Sequence, residues 1–111
     1  MPKEVDLLQG TLDLLVLKAL ALGPMHGFGI SLRLEQLSRS ALQVPQGSLY
    51  PALHRLEHHG WIVSEWGTSD NNRKAKFYSI SQAGREQLER EMAEWKSLTG
   101  AVALVLRATE A

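Results

Sequence analysis

Apolar positions recur at helical spacing in four stretches of the chain and alternate in one region between them. From Thr11 to Leu22 the run TLDLLVLKALAL is rich in Leu and Ala, with only Asp13 and Lys18 charged. A helix apolar on so many faces belongs at the centre of a core. Thr11 is placed to cap its start, and Gly23-Pro24 to stop it. Gly27 to Leu37 carries Ile30, Leu34 and Leu37 at helical spacing among Ser31, Arg33, Glu35 and Gln36. A third helix is predicted from Gln46 to His59, ended by Gly60, with Leu49, Ala52, Leu53 and Leu56 as its apolar face. Pro51 fits that helix if the first turn begins near Gly47 or Ser48, because amides there have no intrahelical partner.

After Gly60 the period changes. Trp61 to Trp66 is β-branched and aromatic, Gly67 to Lys74 is a polar loop, and Ala75 to Ile80 is again strand-like. Two short strands around such a loop predict a β-hairpin. Ser81 then caps a long helix, Gln82 to Val105, in which Leu88, Met92, Trp95, Thr99, Val102 and Leu106 are spaced 4, 3, 4, 3 and 4. That is a heptad seam with one polar break at Thr99. Gly100 costs such a helix roughly 1 kcal/mol relative to Ala and marks a bend or an early end.

Three compact helices followed by a two-stranded wing describe a winged helix-turn-helix. The fold class is therefore mainly α with a small β-hairpin. Residues 1–80 form the winged unit and 81–111 one long C-terminal helix whose seam calls for a partner. The length of 111 residues suits one domain, and balanced charge (12 Lys+Arg, 12 Asp+Glu) names no partner globally. Locally, residues 46–80 are the most cationic third, with four basic side chains, three acidic ones and His54, His58 and His59. The absence of cysteine removes disulfides and thiolate chemistry. Glu4 and Asp6 precede any apolar stretch, unlike a secretory signal, and no apolar run nears the ~18 residues of a membrane span. A soluble, cytoplasmic domain is expected.

The apolar face of the third helix leaves Gln46, Ser48, Tyr50, His54, Arg55 and His58 pointing elsewhere. Gln pairs with adenine, Arg with guanine, and hydroxyls serve phosphates or bases, so this is a candidate recognition helix. A solvated polar face explains the same residues equally well. The turn Asn71-Asn72-Arg73-Lys74, followed by Lys76, places two amides and three cations at a hairpin tip, as a phosphate backbone requires. An ordinary soluble turn also favours Asn and Asp. Together with the third helix, the wing makes double-stranded DNA the better reading.

His54-Arg55-Leu56-Glu57-His58 matches H-x-x-E-H, a zinc-peptidase spacing. A third protein ligand and a substrate cleft are missing, so neither a metal nor any other cofactor is assigned. His26 and His59 read as capping or solvated residues. Gly27-Phe28-Gly29 follows no predicted strand and reads as close packing, not a phosphate-binding loop. Trp95 reads first as core or dimer packing and second as a flat surface for a planar ligand.

Leu12-Asp13-Leu14-Leu15, Gly23-Pro24-Met25-His26-Gly27-Phe28-Gly29-Ile30, Gly47 to Glu57 (GSLYPALHRLE), and Arg73 to Tyr78 with Ala83-Gly84 resemble the PadR family of transcriptional regulators. The likeness runs from Leu8 to Leu88, and the single C-terminal helix resembles the family's short branch. The resemblance implies a homodimeric repressor, not an enzyme. Its winged helix binds an inverted-repeat operator, its last helix builds the dimer, and a small planar effector at the dimer interface can release DNA. By position, Tyr50 matches the tyrosine that approaches the DNA backbone, Ser48 the small hydroxyl at the helix start, and Arg73 and Lys74 the basic wing. Phe28 departs from the Tyr frequent there. Trp95 resembles an effector-stacking tryptophan by its place on the last helix.

DNA contacts are thus expected from Gln46, Ser48, Tyr50, Arg55, Asn72, Arg73, Lys74 and Lys76. Dimer contacts are expected from Leu88, Met92, Trp95, Val102 and Leu106, and no membrane partner is expected. The alternative is a winged-helix protein-interaction module that pairs through its C-terminal seam without binding DNA.

Overall fold

The computed structural model describes residues 9–109. The expectations for Glu4 and Asp6, the start of the resemblance at Leu8 and the unit limits at residues 1 and 111 lie outside these residues. The order is α1 (Gln9–Ala21), β1 (Met25–His26), α2 (Gly27–Leu37), α3 (Gln46–His58), β2 (Ile62–Thr68), β3 (Lys74–Ile80) and α4 (Gln82–Leu106). The described residues are mainly helical, with one small antiparallel sheet.

Helix α1 buries Leu12, Val16, Leu17, Ala19 and Leu20 and packs against α2, α3, β3 and α4. It already runs at Gln9, so Thr11 lies inside the helix and does not cap it. Gly23, at φ 146°, takes the chain out of α1 in a conformation that only glycine adopts without strain. Arg33 on α2 donates from Nη1 to the carbonyls of Ala19 (2.7 Å) and Gly23 (2.8 Å). One guanidinium thereby ties together two carbonyls at the exit of α1, the Ala19 carbonyl also accepting from the Leu22 N–H at 3.3 Å.

The chain then makes a two-residue strand that the sequence pattern does not predict. Met25 pairs with Tyr78 and His26 with Phe77, so the hairpin becomes a three-stranded sheet of order β1-β3-β2. His26 is the N-cap of α2, its Nδ1 accepting from the Gly29 N–H at 3.0 Å. Of the two roles expected for it, capping or solvated, it takes the capping one. A Cβ on Gly29 would collide with the Met25 side chain, which accounts for the Gly-Phe-Gly sequence by packing.

Helix α3 begins at Gln46, the predicted start and ahead of the Gly47 or Ser48 start that would put Pro51 in the first turn, with Pro45 as its N-cap. Pro51 therefore lies in the second turn, not the first. Its missing N–H deprives the Gly47 carbonyl of a partner, and Gly47 is exposed, so water can take that place. Leu49, Ala52, Leu53 and Leu56 are buried, the face read from the sequence.

In the hairpin, Ile62 pairs with Ile80, Ser64 with Tyr78, Trp66 with Lys76 and Thr68 with Lys74. Alternation puts these eight side chains on one face of the sheet. Its inner end, Ile62 and Tyr78, is buried in the core, and its outer end overhangs the helices.

Ser81 caps α4, accepting from the Gly84 N–H (3.0 Å) and donating to the Gly60 carbonyl (2.7 Å). Helix α4 runs through Gly100 to Leu106, so the glycine does not end it. Leu88, expected at a dimer seam, is only 6% exposed and belongs to the chain's own core. The seam beyond it is open: Met92, Trp95 and Val102 are 46%, 44% and 46% exposed, and Leu106 is 78% exposed.

The two helical glycines of α4 should respond oppositely to alanine. A Cβ at Gly84 meets the Trp61 carbonyl oxygen, so Gly84→Ala should destabilise by about 1–3 kcal/mol in urea unfolding. Gly100 has open space around it, and Gly100→Ala should stabilise by about 1 kcal/mol.

Candidate nucleic-acid interface

The overhanging end of the sheet and the start of α2 enclose an open groove of about 880 Å³. Tyr50, Arg73, Lys74 and Lys76, four of the expected DNA contacts, line it together. Tyr50 projects from the beginning of α3 and is half exposed. Its hydroxyl lies against Gly27, where a Cβ would come within 2.8 Å of it. The glycine therefore lets the phenol lie over the first turn of α2.

The wing tip is a tight turn. Ser69 N–H donates to the Arg73 carbonyl at 2.8 Å and Asn72 N–H to the Ser69 carbonyl at 2.9 Å. Asn72 adopts φ 58°, a left-handed conformation for which asparagine is suited. The strands reach Thr68 and Lys74, so the turn proper is shorter than the loop read from the sequence. Lys74 extends over Trp66, its Nζ 5.4 Å from the ring centroid. That places an ammonium on one face of an exposed indole.

Lys76 is less free. Its Nζ lies 3.9 Å from a Glu57 carboxylate oxygen and 5.8 Å from the centre of the Tyr78 ring. Glu57 also accepts from the Ser64 hydroxyl. One carboxylate on α3 thus joins both strands of the wing to the helix beside them. Burial raises the Tyr78 phenol above its ordinary value of 10.0, with the nearby Glu57 carboxylate and Tyr50 adding to the effect. Tyr78 therefore stays protonated and neutral beneath the lysine throughout the neutral range.

The remaining expected contacts sit apart from the groove. Gln46 donates to the Ser31 hydroxyl at 2.8 Å and borders a smaller depression of about 320 Å³. Ser48 is exposed on the first turn of α3, and Asn72 on the wing turn. Arg55 turns toward α1, donating from Nη2 to Asp13 Oδ1 at 2.7 Å and from Nε to Oδ2 at 3.4 Å. The pair joins α3 to the central helix α1.

Two aromatic residues were not singled out as contacts from the sequence: Phe28 and Trp66 line the groove and are 66% and 64% exposed. A signal for Trp66 existed, since it falls in phase with Ile62 and Ser64 on the same strand face. His54 and His58 are exposed, and His59 stacks on Trp61 at 4.3 Å between ring centroids. Among the described residues, no group of three or more His, Cys, Asp or Glu side chains could hold a metal. No helix there is long and apolar enough to cross a membrane.

Three helices, a basic hairpin and a groove between them define the class of winged-helix regulators. The chain belongs to the transcriptional regulator PadR-like family, which matches residues 16–90. Members of that family are DNA-binding transcriptional regulators and not enzymes. A transcriptional regulator of Mycobacterium tuberculosis is 41% identical over 64 residues, covering 58% of this chain and 56% of its own length. An uncharacterized protein of Lysinibacillus sphaericus is 25% identical over 105 residues, covering 95% of this chain and 96% of its own. The crystal structure of a PadR-like transcriptional regulator from Bacillus cereus superposes with a TM-score of 0.77. It is 27% identical and covers 91% of this chain and 96% of that one.

Because Arg55 and Asp13 are both partly shielded, removing one strands the other. Arg55→Ala should cost about 1–3 kcal/mol in urea unfolding, and Arg55→Lys should recover only part of it, lacking the planar fork.

Proposed function

We propose that the chain is a homodimeric repressor that binds an inverted-repeat operator and works in the cytoplasm. Residues 1–80 read the DNA and 81–111 make the dimer. The observation that carries this reading is the convergence of Tyr50, Arg73, Lys74 and Lys76 on one groove beside the exposed start of α3. In it, α3 enters the major groove with Gln46 and Ser48 toward base edges, while the wing, 67–74, follows the flanking backbone. Asn72 and the three wing cations then meet phosphates. Arg55 reaches DNA only by giving up Asp13, so its role in this reading is to hold α3 in place.

The open seam of Met92, Trp95, Val102 and Leu106 supports pairing of α4 with a second copy. Leu88 contributes by anchoring α4 to its own core. A small aromatic effector stacking on Trp95 would act by favouring one dimer geometry. It can change DNA affinity only as far as it binds the two geometries unequally.

Selection from random duplex DNA at two salt concentrations tests the reading. It should enrich a two-fold symmetric sequence with half-sites about 34 Å apart. With ~6–10 phosphate contacts, affinity should fall roughly 10³- to 10⁵-fold between 50 and 200 mM salt. Arg73→Ala with Lys74→Ala should weaken all sequences alike, whereas Gln46→Ala should alter sequence preference. A flat salt response without enrichment would favour a protein-interaction module instead.

Trp95→Glu should shift the protein from dimer to monomer in sedimentation velocity while leaving the helical signal in circular dichroism unchanged. A dimer that survives this change would place the interface elsewhere.

A further inference from the structure

The wing cations account for attraction to phosphate but not for the two large aromatic side chains left open beside them. Phe28, on the first turn of α2, and Trp66, on β2, line the same groove from elements far apart in sequence, and each is about two-thirds exposed. Lys74 covers one face of the Trp66 indole, which steadies the ring at the groove's edge. Arg33, a further cation of the lining, is engaged by the carbonyls of Ala19 and Gly23. Arg73 and Lys74, with Lys76 shared with the Glu57 carboxylate, therefore supply the positive charge, against one lining carboxylate, Asp70.

Cations and apolar rings share one open groove, which suits a polymer that carries both charged and apolar groups. A small ligand would need an enclosed site to bury most of its surface. In a nucleic-acid strand, phosphates alternate with deoxyribose rings, whose carbon faces pack on aromatic side chains.

We propose that Phe28 and Trp66 are apolar walls seating the deoxyriboses of one DNA strand, while Lys74, Lys76 and Arg73 neutralise the adjoining phosphates. This placement rests on the DNA-binding reading above and adds a contact independent of charge. It also gives Phe28 a use that needs no hydroxyl. The contact carries no base information, so it tightens binding to every sequence equally.

Phe28→Ala, Trp66→Ala, Trp66→Phe and Lys74→Ala should be compared with the unmodified protein by fluorescence anisotropy. Each is titrated with its selected operator and with an unrelated duplex at several salt concentrations. Each aromatic-to-alanine change should weaken both duplexes by roughly tenfold, the effect of losing about half an aromatic side chain's burial. The slope of log affinity against log salt should stay unchanged, because a neutral side chain releases no counterions. Lys74→Ala should instead reduce that slope by about one, and Trp66→Phe should retain most of the affinity. Thermal melts unchanged from the unmodified protein should accompany both alanine variants.

Alanine variants that bind as tightly as the unmodified protein, or that weaken only the operator, would overturn the placement while the DNA reading stood. An unmodified protein that binds no duplex at any salt concentration would overturn both.

Discussion

Burial of α1 on nearly every side is the constraint from which the remaining architecture follows. A helix with so few polar positions cannot lie on a surface, and one neighbouring element cannot cover it. Helices α2, α3 and α4 and strand β3 each take a share. The burial is non-directional, however, and would tolerate α3 rotated about its own axis. Directional contacts remove that freedom: Asp13 holds Arg55 of α3, and the carbonyls of Ala19 on α1 and of Gly23 just beyond it hold Arg33 of α2. Together these settle which face of α3 is turned outward.

The sheet extends the same logic into the candidate interface. One strand face, with a period of two residues, begins as core at Ile62 and Tyr78 and ends as groove wall at Trp66, Lys74 and Lys76. No change of conformation separates the two uses; the helices simply stop beneath the sheet. A chain of zero formal net charge thus presents a local positive edge. Glu57, 3.9 Å from Lys76, and Asp70 on the wing turn moderate it.

The helices and the hairpin were legible because each is long enough to display its period. The apolar face of α3 appeared as read, and the Arg73-Lys74 turn appeared at the tip of the wing. Strand β1 was not legible, since two residues show no alternation and its pairing depends on β3, some fifty positions on. Arg55 read as free because its partner lies 42 residues earlier, and only the relative rotation of two helices brings them together. Leu88 fits the heptad as well as Met92 does, yet the first stretch of α4 still packs on its own chain. Periodicity identifies a buried face without saying which molecule buries it.

The Ser81 hydroxyl has a consequence beyond capping. It touches Gly60, which follows α3, and Gly84, which opens α4, and the Trp61 carbonyl closes over that glycine without a side chain between them. Helix α3 and the long C-terminal helix α4 are therefore locked at one joint a few residues across. At 1.5 Å per residue the 25 residues of α4 make an arm of roughly 37 Å. In a pair of chains held together along that arm, a few degrees of play at the joint would be magnified into a mismatch with the helical pitch of DNA. In the proposed dimer, the tightness of this small articulation would act as a ruler, fixing how far apart two copies place the surfaces proposed to meet DNA.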